Sequence, residues 1–366
     1  MKRQLPARIL FVDMMSPLGH LDVNHFFVKH VFPHFDDYYY MVDSELYEKM
    51  ISHYDYSEKP PAIFFPYRHE RSTNWISARI LLNKKVKFIA KYVRSNDITC
   101  IYFLSYDTLS CSFHVNKFRD CSVILMNHDN IARFIKSALR RFVLNRLKRW
   151  VHVVYSYPDN ETMIERLQQN LQFQKIVLLE HHLDESRSLD MKKSFNPRSI
   201  MLYAPSNVND DKKIINLHNS LVDTVVKVKA KVKESTYSQY RDIYKESLFF
   251  GFLDNDVFER DMNYADFILL LYPDEYIFRT SSTLFDAIAY EKPVITDNRF
   301  LFETYLEEKG LGLFVDDARA VVKAISQIDK ATYSRLVENM RNYKRSYSAE
   351  KIGKDLALKI QQIMEN

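Results

Sequence analysis

Short apolar runs recur along the chain, each ending in polar residues and most followed by a segment with helical spacing. In the first half these runs are RILFVDMM (Arg8–Met15), TCIYFLSYD (Thr99–Asp107), SVILMNHD (Ser122–Asp129), VHVVYSY (Val151–Tyr157) and KIVLLE (Lys175–Glu180). In the second half they are SIMLYAP (Ser199–Pro205), VVKVKAKVK (Val225–Lys233), ADFILLL (Ala265–Leu271) and PVIT (Pro293–Thr296). Continuous apolar runs of this length read as strands buried on both faces, which is the pattern of a parallel sheet covered by helices. VVKVKAKVK alternates instead, so it reads as a strand with one wet face, its lysines solvated. A polar stretch, DESRSLDMKKSFNPRS (Asp184–Ser199), separates the two series and reads as a linker. The pattern predicts an α/β protein of two domains, residues 1–190 and 191–345, with a helical tail over 346–366.

Ligands of open parallel sheets bind where strands end in loops, so the polar residues after each run are the ones to inspect. The most informative segment runs from Leu269 to Asp297, LLLYPDEYIFRTSSTLFDAIAYEKPVITD. It reads as strand, polar loop, helix, strand. Ser281, Ser282 and Thr283 fall at the helix start, where hydroxyls cap free N–H groups and where those same groups and the helix dipole attract an anion such as phosphate. Asp286 lies about one and a half turns further in, suited to accept hydrogen bonds from ribose hydroxyls. Arg279 and Glu275 belong to the loop that would roof such a pocket.

Composition narrows the possibilities. The chain has 366 residues, 46% of them hydrophobic and 27% charged, which suits a globular protein large enough for two cores. Five glycines leave no G-x-G-x-x-G and no P-loop, which argues against nicotinamide dehydrogenases and P-loop kinases. Cys100, Cys111 and Cys121 have no metal-type spacing and read as reduced, buried thiols. His181 and His182 point apart on a strand and read as structural. No run reaches the roughly 18 apolar residues of a membrane span, and MKRQLPARILFVDMM reads as a basic start leading into a strand, so the expected location is cytoplasmic.

The segment Ile131–Val151 adds a further signal, because it carries seven Lys and Arg and no acid, with Ile131, Phe134, Ile135, Ala138, Leu139, Phe142, Val143, Leu147 and Trp150 on one helical stripe. Such a helix packs its stripe on a core and offers a basic outer face, including Arg140, Arg141, Lys148 and Arg149, to anionic lipid at the inner face of a plasma membrane. A net charge of +5 over this length, without a nucleic-acid motif, does not point to nucleic acid.

RTSSTLFDAIAYEKPVI resembles the donor-binding helix of glycosyltransferases of the GT-B fold, in which two Rossmann-like domains with parallel sheets face each other across a cleft. The Ser-Ser-x-x-x-Asp and Lys-Pro arrangement also resembles CDP-glycerol glycerophosphotransferases. In the retaining group the motif is Glu, seven residues, Glu; this chain has Phe278 and Asp286 there, with Glu275 as the nearest other carboxylate, which leaves retaining and inverting chemistry both open. The resemblance implies that Ser281, Ser282, Thr283, Asp286, Glu275 and Arg279 hold the donor, and that Lys213, beside Lys212 after the Ser199–Pro205 run, meets the diphosphate. It also implies that His20 in PLGH and His128 with Asp129 lie on the acceptor side. An imidazole there can take the acceptor's proton. The expected activity is transfer of a sugar from a nucleotide-sugar donor to a hydroxyl of a glycan or lipid-linked saccharide in bacterial capsule or lipopolysaccharide synthesis, with no cofactor and no bound metal. Two alternatives stand beside it, a CDP-linked polyol-phosphate transferase and a non-catalytic GT-B-like partner subunit.

Overall fold

The computed structural model describes residues 8–15, 21–67, 75–127, 137–148, 151–157, 160–171, 175–181, 195–221, 224–251, 253–277 and 281–365. The chain divides into two compact units, Met1–His182 with Ala349–Asn366, and Leu183–Ser348. The division falls eight residues before the boundary expected from the sequence. The expected linker lies largely outside the described residues.

The first unit is built on a parallel sheet of β1 (Ile9–Asp13), β2 (Tyr38–Val42), β3 (Ile63–Phe64), β4 (Cys100–Ser105), β5 (Ser122–Asn127), β6 (Val151–Ser156) and β7 (Ile176–Leu179). Its strand order is β3-β2-β1-β4-β5-β6-β7. The apolar runs are strands because both faces are covered: Ile9, Leu10, Phe11, Ile101 and Ile124 have no exposed surface. The C-terminal helix Ala349–Glu365 belongs to this unit and buries Ile352, Leu356 and Ile360. Its Gly353 has a physical reason, since a Cβ there would come within 2.3 Å of the His30 carbonyl oxygen. Lys359 donates to the Leu178 carbonyl at 2.7 Å and fastens the helix beside the end of β7.

The second unit holds a parallel sheet of β8 (Ile200–Ala204), β9 (Val226–Lys231), β10 (Leu248–Phe249), β11 (Phe267–Leu270), β12 (Val294–Thr296) and β13 (Gly312–Phe314), in the order β10-β9-β8-β11-β12-β13. This is the doubly wound arrangement, in which the chain builds outward from β8 in one direction and then in the other. The switch falls between β8 and β11, paired through Leu202–Phe267 and Tyr203–Ile268. β9 alternates as its sequence predicts, with Val226, Val228 and Ala230 buried and Lys227 exposed. Lys229 and Lys231, toward its C-terminal end, are half-buried.

The basic segment Ile131–Val151 is described as a shorter helix, Ala138–Leu147, and Val151 already belongs to β6. Residues 131–136, Arg149 and Trp150, and the side chains of Leu139 and Arg140, lie outside what is described. Val143, Leu144 and Leu147 are buried, whereas Phe142, placed on the inner stripe by spacing, is 55% exposed. The inward face is rotated because the helix packs against Thr108–His114, where Arg146 donates to the Ser112 carbonyl at 3.2 Å.

Candidate functional site

Each strand that surrounds the switch point in the second unit ends in polar residues, and these line one cavity of about 380 Å³. β8 contributes Tyr203 and the following loop with Ser206 and Asn207; β9 contributes Lys231; β10 contributes Phe249. Tyr272 and Tyr276 enter after β11, and Ser282, Thr283 and Asp286 come from the helix Ser282–Ala289. Asn255 and Phe258 of the helix Asn255–Tyr264 close another side.

The helix start is fixed from below. Ser281 is its N-cap and is 3% exposed; its Oγ accepts from the Leu284 N–H at 3.2 Å and lies 2.7 Å from the Tyr272 hydroxyl. Tyr272 is fully enclosed; burial raises its pKa, and the neighbouring hydroxyls of Ser206, Ser281 and Thr283 pull it partway back. A helix leaves its first N–H groups without intrahelical partners, and the cap uses that of Leu284. The amides of Ser282 and Thr283 precede it at the cavity wall, so the dipole and these donors favour an anion.

Of the sequence-predicted donor residues, the structure brings Ser282, Thr283 and Asp286 together. Ser281 is a buried cap beneath them. Glu275 is exposed in the turn after Pro273 and is not among the lining residues. Lys213 is placed differently from expectation: its ammonium donates to the Tyr272 carbonyl at 2.7 Å, to Asp274 at 2.7 Å, and pairs with Asp297 at 2.8 Å. Burial lowers its pKa and the two carboxylates more than offset this, so it stays firmly charged. That charge is already balanced by Asp274 and Asp297, so it is poorly placed to serve a diphosphate. Arg279, His20, His128 and Asp129 lie outside the described residues.

Among the described lining residues the cation is Lys231, which the alternating pattern assigns to a solvated face. Being last in β9, it sits at the strand end rather than along the wet face, and partial burial lowers its pKa. Its neighbour Lys229 is held by Asp261 at 2.5 Å. The far wall is aromatic: Tyr203 packs at 6.2 Å from Phe249 and 6.4 Å from Phe258. The Tyr203 hydroxyl is buried without a hydrogen-bond partner among the described residues. Burial raises its pKa, with Asp261 and Asp286 adding to the rise. A buried hydroxyl left unbonded is costly, and in a cavity wall it is a ready donor to a ligand. The cavity therefore has a helix N-terminus, a carboxylate, a cation and an aromatic wall. Among the described residues no group of three His, Cys, Asp or Glu side chains is placed to hold a metal ion.

No protein-family model matches the chain, and no curated protein matches it in sequence. Solved structures do match its fold. A glycosyltransferase from Rickettsia africae superposes with a TM-score of 0.65 at 12% identity, covering 99% of this chain and 100% of that one. Anabaena Alr3699/HepE in complex with UDP and glucose gives 0.68 at 12% identity, over 97% and 100%. Arabidopsis thaliana UGT89C1 complexed with UDP-L-rhamnose gives 0.55 at 13%, over 97% and 99%. The chain has the GT-B fold of nucleotide-sugar glycosyltransferases, as the Arg279–Ile295 segment implies.

Proposed function

We propose that this protein is a glycosyltransferase that moves a sugar from a nucleotide-sugar donor to a hydroxyl of a glycan or lipid-linked saccharide, in the building of a bacterial surface polysaccharide. The observation that carries the reading is the meeting of the Ser282 and Thr283 helix start, Lys231 and Asp286 in one cavity at the switch point. The donor diphosphate rests on the two amides, Lys231 balances its charge, and Asp286 accepts from the ribose hydroxyls. The bond from the anomeric carbon to the diphosphate breaks as the acceptor oxygen bonds that carbon, and the nucleoside diphosphate leaves. Helix dipole and lysine together stabilise the leaving charge, so no metal ion is invoked. His20 or His128, with Asp129 beside it, takes the acceptor's proton if the configuration inverts; Arg279 adds to the diphosphate site. Neighbours that hold UDP and UDP-glucose make uridine donors the first to try. An acceptor on a lipid carrier sets the work at the inner face of the plasma membrane.

The test is nucleotide release from UDP-, GDP-, CMP- and CDP-linked donors, with and without a chelator. Release of a nucleoside diphosphate from a sugar donor, unaffected by chelation and abolished in Asp286→Ala, is the expected result. Release from CDP-glycerol alone overturns it in favour of polyol-phosphate transfer, and no nucleotide binding at all overturns it in favour of a non-catalytic subunit.

A further inference from the structure

Three helices of the first unit pack side by side: Trp75–Ser95 against Thr108–His114, and Thr108–His114 against Ala138–Leu147. The contacts are specific, with Asn83 meeting His114 at 3.1 Å and Arg79 paired with the cap residue Asp107. Together these helices carry nine of the chain's 52 Lys and Arg and none of its 47 Asp and Glu. The remainder of the chain is net acidic, 43 against 47; of the nine, Lys85 is buried beside Asp43 and Arg79 pairs with Asp107, while Lys84, Lys87, Lys91, Arg94 and Arg141 are exposed.

The long helix shows how that charge is arranged. Its outward positions follow steps of four and three residues: Ile76, Ile80, Lys84, Lys87, Lys91 and Arg94, all exposed. The stripe is aliphatic at one end and cationic for the rest. Ile76 and Ile80 are 51% and 53% exposed, and the neighbouring helices add Phe113 at 56% and Phe142 at 55%. Single exposed apolar residues are ordinary, but four on three adjoining helices amid cations form a mixed face with a definite chemistry. Aliphatic side chains gain nothing against a phosphodiester backbone, and a row of exposed cations repels like-charged protein surfaces. Cations over acyl-seeking side chains are the signature of a surface that lies on anionic lipid.

We propose that this face docks on an anionic bilayer, with Ile76, Ile80, Phe113 and Phe142 entering the acyl boundary and Lys84, Lys87, Lys91 and Arg94 lying at the headgroups. It rests on the reading above only for the lipid-linked nature of the acceptor. It also moves the expected lipid contact from the 131–151 segment to the helix Trp75–Ser95, with Arg141 as an auxiliary.

Cosedimentation of the full chain with vesicles of phosphatidylglycerol in phosphatidylcholine, against phosphatidylcholine alone, tests it. The protein pellets with the anionic vesicles and is released by salt. Lys84→Glu/Lys87→Glu/Lys91→Glu lowers the bound fraction at least about tenfold, and Ile76→Ser/Ile80→Ser weakens it at a salt concentration where the wild type still binds. Nucleotide binding, measured in parallel, is unchanged in both variants, which separates this surface from the donor site. Absence of anionic-vesicle binding, triple-variant binding equal to wild type, or displacement of the protein from vesicles by a duplex oligonucleotide overturns the proposal.

Discussion

The Tyr272 hydroxyl lies 2.7 Å from the Ser281 Oγ, joining the end of the β11 strand to the cap of the helix that follows it. One buried phenol therefore ties the helix start to the segment after β11. Tyr272→Phe keeps the ring and removes the bond. It is expected to cost about 1–2 kcal/mol in urea unfolding, and to weaken nucleotide binding by calorimetry because the amides of Ser282 and Thr283 lose their support. Unchanged affinity with lowered stability would assign Tyr272 to the fold alone.

Asp286→Asn preserves shape at a half-buried position and removes the charge. The expected outcome is a loss of about 10- to 100-fold in nucleotide affinity, the scale of hydrogen bonds to an ionised acceptor. A donor lacking the ribose hydroxyls should bind wild type and variant alike.

The two lysines near the helix start separate by assay. Lys231→Met is expected to lower kcat/KM about 10- to 100-fold through the leaving diphosphate. Lys213→Met acts on stability: it strands Asp297, whose side chain is 8% exposed, and costs roughly 2–3 kcal/mol. Thermal melts paired with initial rates check both.

Tyr203→Phe is the mildest of these changes. With no ligand its buried hydroxyl bonds nothing among the described residues, so its removal should be neutral or slightly stabilising. If donor affinity falls nonetheless, the hydroxyl faces bound nucleotide; if affinity and stability both hold, it has no part in recognition.

His218 gives the second unit an acid-sensitive point. It is 7% exposed, stacks on Tyr244, and burial lowers its pKa from 6.5 to about 4. Between those values the unfolded chain binds the proton and the folded one refuses it. Stability is therefore full above about pH 6.5, falls as pH drops toward 4, and levels off below that, a change of about 3 kcal/mol. His218→Phe should flatten the pH dependence of urea midpoints over this window.

Much of the fold was readable from the apolar runs, because strands buried on both faces leave little choice of element. Tyr38–Val42 is not legible in that way, since YYYMV is mostly tyrosine and lacks the aliphatic run that marks the other strands. The helix Trp75–Ser95 is not legible from apolar runs either, because its stripe of exposed cations emerges only at helical spacing. At the site, the hydroxyls and Asp286 were legible because helix-start chemistry is local. Lys213 is held by carboxylates for a reason that sequence does not carry, since Asp274 and Asp297 lie 61 and 84 positions away.

The first unit is not contiguous in sequence: its final helix, Ala349–Glu365, is made only after the whole of Leu183–Ser348. During synthesis the N-terminal body must therefore wait, with the seat for Leu356 and Ile360 uncovered, while the later body completes itself. Its native packing is complete only once that seventeen-residue helix has been made and has docked.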